Sequence, residues 1–334
     1  MKALLLESHD TEPVVREVPI PDLAPGEALV RLHTAALNRR DAWIRRGKYP
    51  GIVHPIILGS DGYGVVEAVA GEGTDWIGRA VVLCPSINWG PEDRFQGDEY
   101  EILGLPRNGT FAEYVAVPVE LLYPAPAHLT PTEAAALPLA GLTAWRALMT
   151  RGALTSGARV FVSGIGGGVA TMAAKLALAA GAQVVVSSSQ PHKIEAAIGW
   201  GALGGVDYTQ AGWRKDAQRL VGGGFDVIID SAGGEGFGEL VRLLAPGGRL
   251  VFFGGTRGAW PTILPQHLFF RQVSIMGSTM GSPREFADLL SFVTKHSVRP
   301  QVDEVFALTD GAAAFSRMEA GLHFGKIVLS VGHG

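Results

Sequence analysis

The densest chemistry in this sequence is a glycine cluster, Gly164-Ile165-Gly166-Gly167-Gly168-Val169-Ala170. It lies between an apolar run ending at Ser163 and a strongly helix-forming run over 171–180. Glycines let a backbone approach a ligand closely, and the free N–H groups and dipole at a helix start favour an anion. A strict G-x-G-x-x-G fails because Val169 holds the sixth place, but Gly164-x-x-Gly167-x-x-Ala170 fits with alanine last. A glycine cluster alone is often just a turn. Between a strand and a helix it predicts a pyrophosphate site for a dinucleotide, with Gly164, Gly166, Gly167, Gly168 and Val169 against the phosphates.

The second strand of such a fold usually ends in an acid that binds the ribose hydroxyls of NAD. Here it ends Ser187-Ser188-Ser189-Gln190, with no acid. Hydroxyls at Ser187 and Ser188 together with Lys193 can instead hold the extra phosphate of NADPH, which is the expected cofactor. The plainer alternative is a solvated serine-rich turn followed by a solvated lysine.

Metal chemistry finds little support. Cys84 is the single cysteine, so neither an internal disulfide nor a four-thiolate zinc site is available. None of the nine histidines forms a close H-x-x-x-H pair. The net charge of -4 comes without a basic block, which argues against a nucleic-acid partner. No run reaches the ~18 apolar residues that a membrane helix needs. The opening Met1-Lys2-Ala3-Leu4-Leu5-Leu6 lacks the long apolar stretch of a signal peptide, so a cytoplasmic protein is expected.

The elements that position these residues change character along the chain. Up to about residue 125, short β-rich runs such as 28–32, 64–69 and 80–83 alternate with Pro and Gly turns, as in a compact, mostly antiparallel β domain. Residues 133–149 read as helix, bent or broken at Pro138 and Gly141. Strands and helices then alternate: strands at 159–163, 183–187, 226–229, 249–253 and 273–276, helices at 171–180 and 193–198. Continuous apolar strands are buried on both faces, and the alternation predicts a doubly wound parallel sheet. A helix near 283–296 and a strand near 326–329 are expected to return to the first domain.

Further motifs run through the chain: Asn38-Arg39-Arg40-Asp41-Ala42-Trp43 with Arg45, Gly47 and Tyr49; Leu58-Gly59-Ser60-Asp61-Gly62-Tyr63-Gly64; Gly109-Thr110-Phe111-Ala112-Glu113-Tyr114; Pro138-Leu139-Ala140-Gly141-Leu142-Thr143-Ala144; and Gly325-Lys326-Ile327-Val328-Leu329. On these motifs and the glycine loop, the chain resembles the medium-chain dehydrogenase/reductase superfamily nearly end to end. The likeness is greatest to its quinone-oxidoreductase-like and enoyl-reductase-like branches. The resemblance implies an α/β fold in which a Rossmann domain (126–280) is inserted into a GroES-like β-rich catalytic domain (1–125 and 281–334). It also implies a nicotinamide hydride carrier and an active site in the cleft between the domains.

The family's zinc branch holds its metal with Cys, His, Glu and Cys, at places occupied here by Asn38, Ser60, Asp61 and Leu139. An amide, a hydroxyl, one carboxylate and a leucine do not make a tetrahedral zinc site. In zinc relatives, residues 84–107 correspond to a lobe with four cysteines; only Cys84 is left. A zinc-free enzyme is therefore expected, with Ser60 and Asp61 in structural roles. Without a Lewis acid, hydride delivery to a quinone or α,β-unsaturated carbonyl suits the chain better than alcohol chemistry, because the developing charge is delocalised.

By resemblance the candidate donors facing the nicotinamide are Asn38, Tyr49 and Thr143. Thr143 can equally bond to its own helix backbone. Asp41 is expected to orient neighbours, and Trp43 to form an apolar wall where many relatives carry tyrosine. Tyr208 matches a position that contacts the NADPH phosphate, or is an ordinary half-buried strand residue. Gly254, Ser278, Thr279 and Lys326 complete the implied cofactor contacts. A homodimer is expected, through residues near 251–255 and 271–276. Two rival functions stay open: an alcohol or aldehyde enzyme, and a non-catalytic NADPH-binding sensor.

Overall fold

The structure, a computed structural model, describes residues 1–332. The chain forms two compact units: Met1–Ala140 rejoined from Ser282 onward, and Gly141–Gly281. The boundary thus falls after Ala140 rather than at 126, for a packing reason. The helix Pro131–Ala136 belongs to the first unit, where Ala135 and Ala136 bury against Ala36 and Val328. Thr34 Oγ1 also donates to the Pro131 carbonyl at 2.7 Å.

The first unit is built on the strand Glu27–Ala36, whose Ala28, Val30 and Leu32 alternate into the core. It pairs antiparallel with Asp61–Val69 on one side, and with Tyr114–Pro118 and Lys326–Ser330 on the other. Ala36 faces Asp61 in one neighbour and Val328 in the other. That register carries Asn38, Asp61 and Lys326 to one place. The returning helix Pro283–His296 starts at a capping box: Ser282 Oγ accepts from the Glu285 N–H at 3.2 Å and Glu285 Oε2 from the Ser282 N–H at 2.8 Å. Its Phe286, Leu289, Leu290 and Val293 follow helical spacing into the core.

The expected break near Pro138 is present. One helix ends at Ala136, another spans Pro138–Trp145, and a π-helical turn Arg146–Arg151 follows. Proline supplies no N–H to the preceding turn, so the ladder restarts there.

The second unit carries a six-stranded parallel sheet among the described residues. Its order is Gly204–Val206, Gln183–Ser187, Arg159–Val162, Phe225–Asp230, Leu244–Phe252, Ser274–Gly277. The central strands are buried on both faces, and Phe161, Val185, Phe225, Ile228, Phe237 and Leu250 form the core. The helix after the glycine cluster runs Gly168–Ala179, starting three residues before the predicted 171 because Gly168 and Val169 already adopt helical geometry. Gly181, at φ 80°, ends it in the left-handed region that glycine tolerates. Among the described residues no helix is long and apolar enough to cross a membrane.

Candidate active site

The four positions that resemblance assigns to zinc ligands are all in the first unit, and three of them meet. Asp61 is fully buried. Its Oδ1 accepts from the Leu139 N–H at 2.7 Å, and its Oδ2 accepts from Asn38 Nδ2 at 2.9 Å and Lys326 Nζ at 2.8 Å. Lys326 Nζ also donates to Asn38 Oδ1 at 2.6 Å. The amide has one possible orientation: its oxygen must face the ammonium and its nitrogen the carboxylate. Leu139 contributes only a backbone donor to this group.

This arrangement does not fit zinc. Both Asp61 oxygens are taken, an ammonium sits beside the carboxylate, and Leu139 has no donor side chain. Among the described residues no group of three or more His, Cys, Asp or Glu is placed to hold a metal. Segment 84–107, the counterpart of the cysteine lobe, is held by a two-stranded pairing of Ser86–Ile87 with Glu101–Ile102. Buried Trp89 packs edge-on to Tyr100 with ring centroids 5.2 Å apart. Cys84 is fully buried, and burial pushes its thiol up to about 12.

The sequence reading placed Lys326 on the cofactor. In the structure its ammonium is 3% exposed and donates to Asn38 and Asp61. Asn38, read as a substrate donor, likewise has its amide oxygen and one amide hydrogen engaged inside the protein. Asp41 does orient a neighbour, its Oδ2 accepting the Asn38 N–H at 2.8 Å at the start of the helix Arg39–Arg45. Burial, opposed mainly by the charge of Arg40, raises the Asp41 carboxyl to about 6.

Beside Asp41, Arg40 was passed over by the sequence reading. It is 9% exposed, and its Nη1 donates to Ser60 Oγ at 2.8 Å and to the Leu103 carbonyl at 2.9 Å. Its guanidinium carbon lies 5.1 Å from the centre of the Tyr49 ring, so Tyr49 is brought to the same group. Thr143 belongs to the second unit, 5% exposed, with Oγ1 directed at Met280 Sδ at 3.8 Å.

The second unit assembles the expected cofactor residues at the ends of its strands. Ser187 Oγ accepts the Gly164 N–H at 3.1 Å and Ser188 Oγ the Gln190 N–H at 3.1 Å. Each hydroxyl shapes a turn and keeps its own proton to donate. Lys193 is buried with its ammonium at the glycine loop, since a Cβ at Gly166 would stand 3.2 Å from Nζ. Tyr208 lies past the end of its strand, correcting the strand-residue alternative, and donates to Ser189 Oγ at 3.2 Å. Arg257, which the sequence reading missed, has its guanidinium 5.3 Å from the Tyr208 ring.

At the other end of this row, a Cβ on Gly254 would stand 2.7 Å from the Ser231 carbonyl, so the turn admits only glycine. The Ser278 N–H bonds the Phe252 carbonyl at 2.9 Å, while its buried Oγ lacks a partner; Thr279 beside it is exposed. A glycine cradle at a helix start, basic and hydroxyl groups after the second strand, and an orphaned hydroxyl past the last strand together fit a dinucleotide.

Comparison with known proteins agrees with this architecture. Residues 24–127 match the family model "Alcohol dehydrogenase GroES-like domain", and residues 168–295 match "Zinc-binding dehydrogenase". The zinc-type alcohol dehydrogenase-like protein YogA of Leptosphaeria maculans is 35% identical, over 93% of this chain and 92% of its own. Crotonyl-CoA reductase of Streptomyces collinus is 29% identical over 96% of this chain and 83% of its own. A crystal structure described as an NAD-dependent alcohol dehydrogenase superposes with a TM-score of 0.94 at 36% identity, covering 99% of this chain and 100% of that one. By its two matched domains and its near full-length relatives, the chain belongs to the medium-chain dehydrogenase/reductase superfamily of NAD(P)-dependent oxidoreductases.

Proposed function

We propose that this protein is a zinc-independent, NADPH-dependent oxidoreductase that delivers hydride to a quinone or an α,β-unsaturated carbonyl. The observation that carries the reading is the Lys326–Asp61–Asn38 network, in which an ammonium bonds to two of the residues at positions that resemblance assigns to metal ligands. A ketone or aldehyde taking hydride develops a full alkoxide, which a metal normally stabilises. A conjugated acceptor spreads the same charge, and hydrogen bonds suffice. The likeness to crotonyl-CoA reductase, whose name denotes reduction of a conjugated acyl group, supports the same class of acceptor.

When bound, the reduced nicotinamide supplies the hydride. The glycine loop with Gly168 and Val169 holds its pyrophosphate, and Lys193, Tyr208 and Ser188 favour the additional phosphate. Arg257 joins them through its place over Tyr208. Tyr49 is the donor that the first unit offers to the substrate, and Lys326 positions Asn38. An alcohol-level reading with NADH draws on the name of the solved relative at 36% identity.

Metal-stripped protein titrated with NADPH and NADH, then assayed with 9,10-phenanthrenequinone and an enone, separates these readings. Binding at least tenfold tighter for NADPH and turnover without metal are expected. Tighter NADH binding, or activity only after zinc is added, would overturn the proposal.

We further infer a homodimer. The strand Ser274–Gly277 ends the parallel sheet with an unpaired edge, and Phe269 and Phe270 before it are 56% and 76% exposed. A second copy covering that edge predicts a dimer mass by light scattering and a monomer for Phe270→Glu. The cytoplasm as its compartment rests on the sequence alone.

A further inference from the structure

A charged group taken out of water is costly unless it is paired. Lys326 obeys this by pairing with Asp61 at 2.8 Å. Arg40 does not. It is 9% exposed, and although its charge acts on the neighbouring Asp41 carboxyl, among the described residues no carboxylate forms an ion pair with it and its buried Nε has no hydrogen-bond partner. Two bonds hold one end of the fork: Nη1 to Ser60 Oγ at 2.8 Å and to the Leu103 carbonyl at 2.9 Å. The plane is braced by the Tyr49 ring, 5.1 Å from the guanidinium carbon. The phenol hydroxyl of Tyr49 has no internal partner among the described residues. A fixed guanidinium with donors to spare, beside a free phenol, is a site prepared for an oxygen that carries negative charge.

We propose that Arg40 is a catalytic residue whose guanidinium, with the Tyr49 hydroxyl beside it, receives the carbonyl oxygen of the hydride acceptor. This rests on the reading of the protein as a reductase of conjugated acceptors. On hydride addition a new C–H bond forms at the β-carbon. The C=C pair moves to the adjoining bond, and the carbonyl pair moves onto oxygen as an enolate. A solvent proton then completes the saturated carbonyl, and the reduced nicotinamide has become oxidised. The negative charge exists only after hydride moves, so an anchored cation lowers the barrier more than it tightens ground-state binding. Asn38, the donor nearest in sequence, has its amide oxygen and one amide hydrogen held by Lys326 and Asp61, and it is neutral where Arg40 is a cation.

The test uses the full chain and two readouts. In the first, Arg40→Met is assayed with NADPH and cyclohex-2-en-1-one, an enone with the β-carbon that the step requires. Here kcat should fall about a hundredfold, the scale of one lost oxyanion donor, while KM and the Kd for NADPH move less than threefold. Arg40→Lys should recover part of kcat. Tyr49→Phe, which leaves the buried side chains in place, should lower kcat by about tenfold. In the second readout p-nitrophenol, an oxyanion on a conjugated ring, is titrated without turnover. Wild-type protein should bind the phenolate at least tenfold more tightly than Arg40→Met and lower the pKa of the bound phenol.

Wild-type turnover with equal phenolate binding by the two proteins would overturn the role of Arg40. So would an Arg40→Met effect confined to KM. Arg40-dependent phenolate binding without turnover of any quinone or enone would uphold the oxyanion site and overturn the reaction on which it was built. If Arg40→Met fails to fold, Arg40→Lys and Tyr49→Phe decide: kcat and phenolate affinity unchanged in both would overturn the proposal.

Discussion

Lys326 and Asp61 lie 265 residues apart in the chain and 2.8 Å apart in space, one 3% exposed and the other fully buried. Burying such a pair gains little over packed apolar residues, but breaking it strands a charge. Lys326→Met should therefore destabilise the protein by about 3–5 kcal/mol. Adding Asp61→Asn to that variant should recover more than half. Urea unfolding of the two single variants and the double variant checks the coupling.

Much of the fold was legible in the sequence because each element carries a local signal. The helix Pro283–His296 has its capping box and apolar stripe in one stretch, and the parallel strands read as unbroken apolar runs. The unit boundary was less legible. Residues 131–136 are ordinary helix formers, and only their burial against Ala36 and Val328 assigns them to the first unit.

The candidate site divides the same way. Asn38, Asp61, Leu139 and Lys326 stand out by motif, but their meeting depends on the register of three strands, which no local pattern encodes. Arg39 and Arg40 are equivalent in sequence, yet Arg39 is exposed and reaches the Met318 carbonyl at 3.3 Å whereas Arg40 turns inward to Ser60. Arg257 lies in a loop far from Tyr208, with no spacing to announce it.

Lys193, with its ammonium at the glycine loop, should set cofactor choice. Lys193→Ala is expected to weaken NADPH binding about tenfold, the loss of one charge-assisted hydrogen bond, with NADH affinity nearly unchanged. Parallel fluorescence titrations check this, and an equal loss for both cofactors would point to a damaged loop.

Asp41 predicts an unusual pH dependence. Burial raises its carboxyl to about 6, above the ~3.9 of an unfolded aspartate. Between those values the folded chain keeps a proton that the unfolded chain releases, so stability falls as pH rises. The contribution is fully present below about pH 4 and lost through pH 6, and amounts to up to about 3 kcal/mol. Asp41→Asn should remove it, so the Tm of wild type relative to the variant should rise from pH 7 to pH 4.

Cys84 should be inert while the protein is folded. Its thiol, pushed up to about 12 and shielded from solvent, offers almost no thiolate at pH 8. An aromatic disulfide reagent should label it only as fast as the chain opens, with one equivalent released in denaturant. Labelling of native protein within seconds would contradict its burial.

A cation at the end of a lysine differs from a metal ion in how it is obtained. Lys326 is installed during translation and joined to the backbone by covalent bonds. Chelators cannot withdraw it, and the wrong metal cannot displace it when supplies shift. The charge that Lys326 sets beside Asp61 is therefore in place as soon as the chain has folded, fixed by the gene that encodes it.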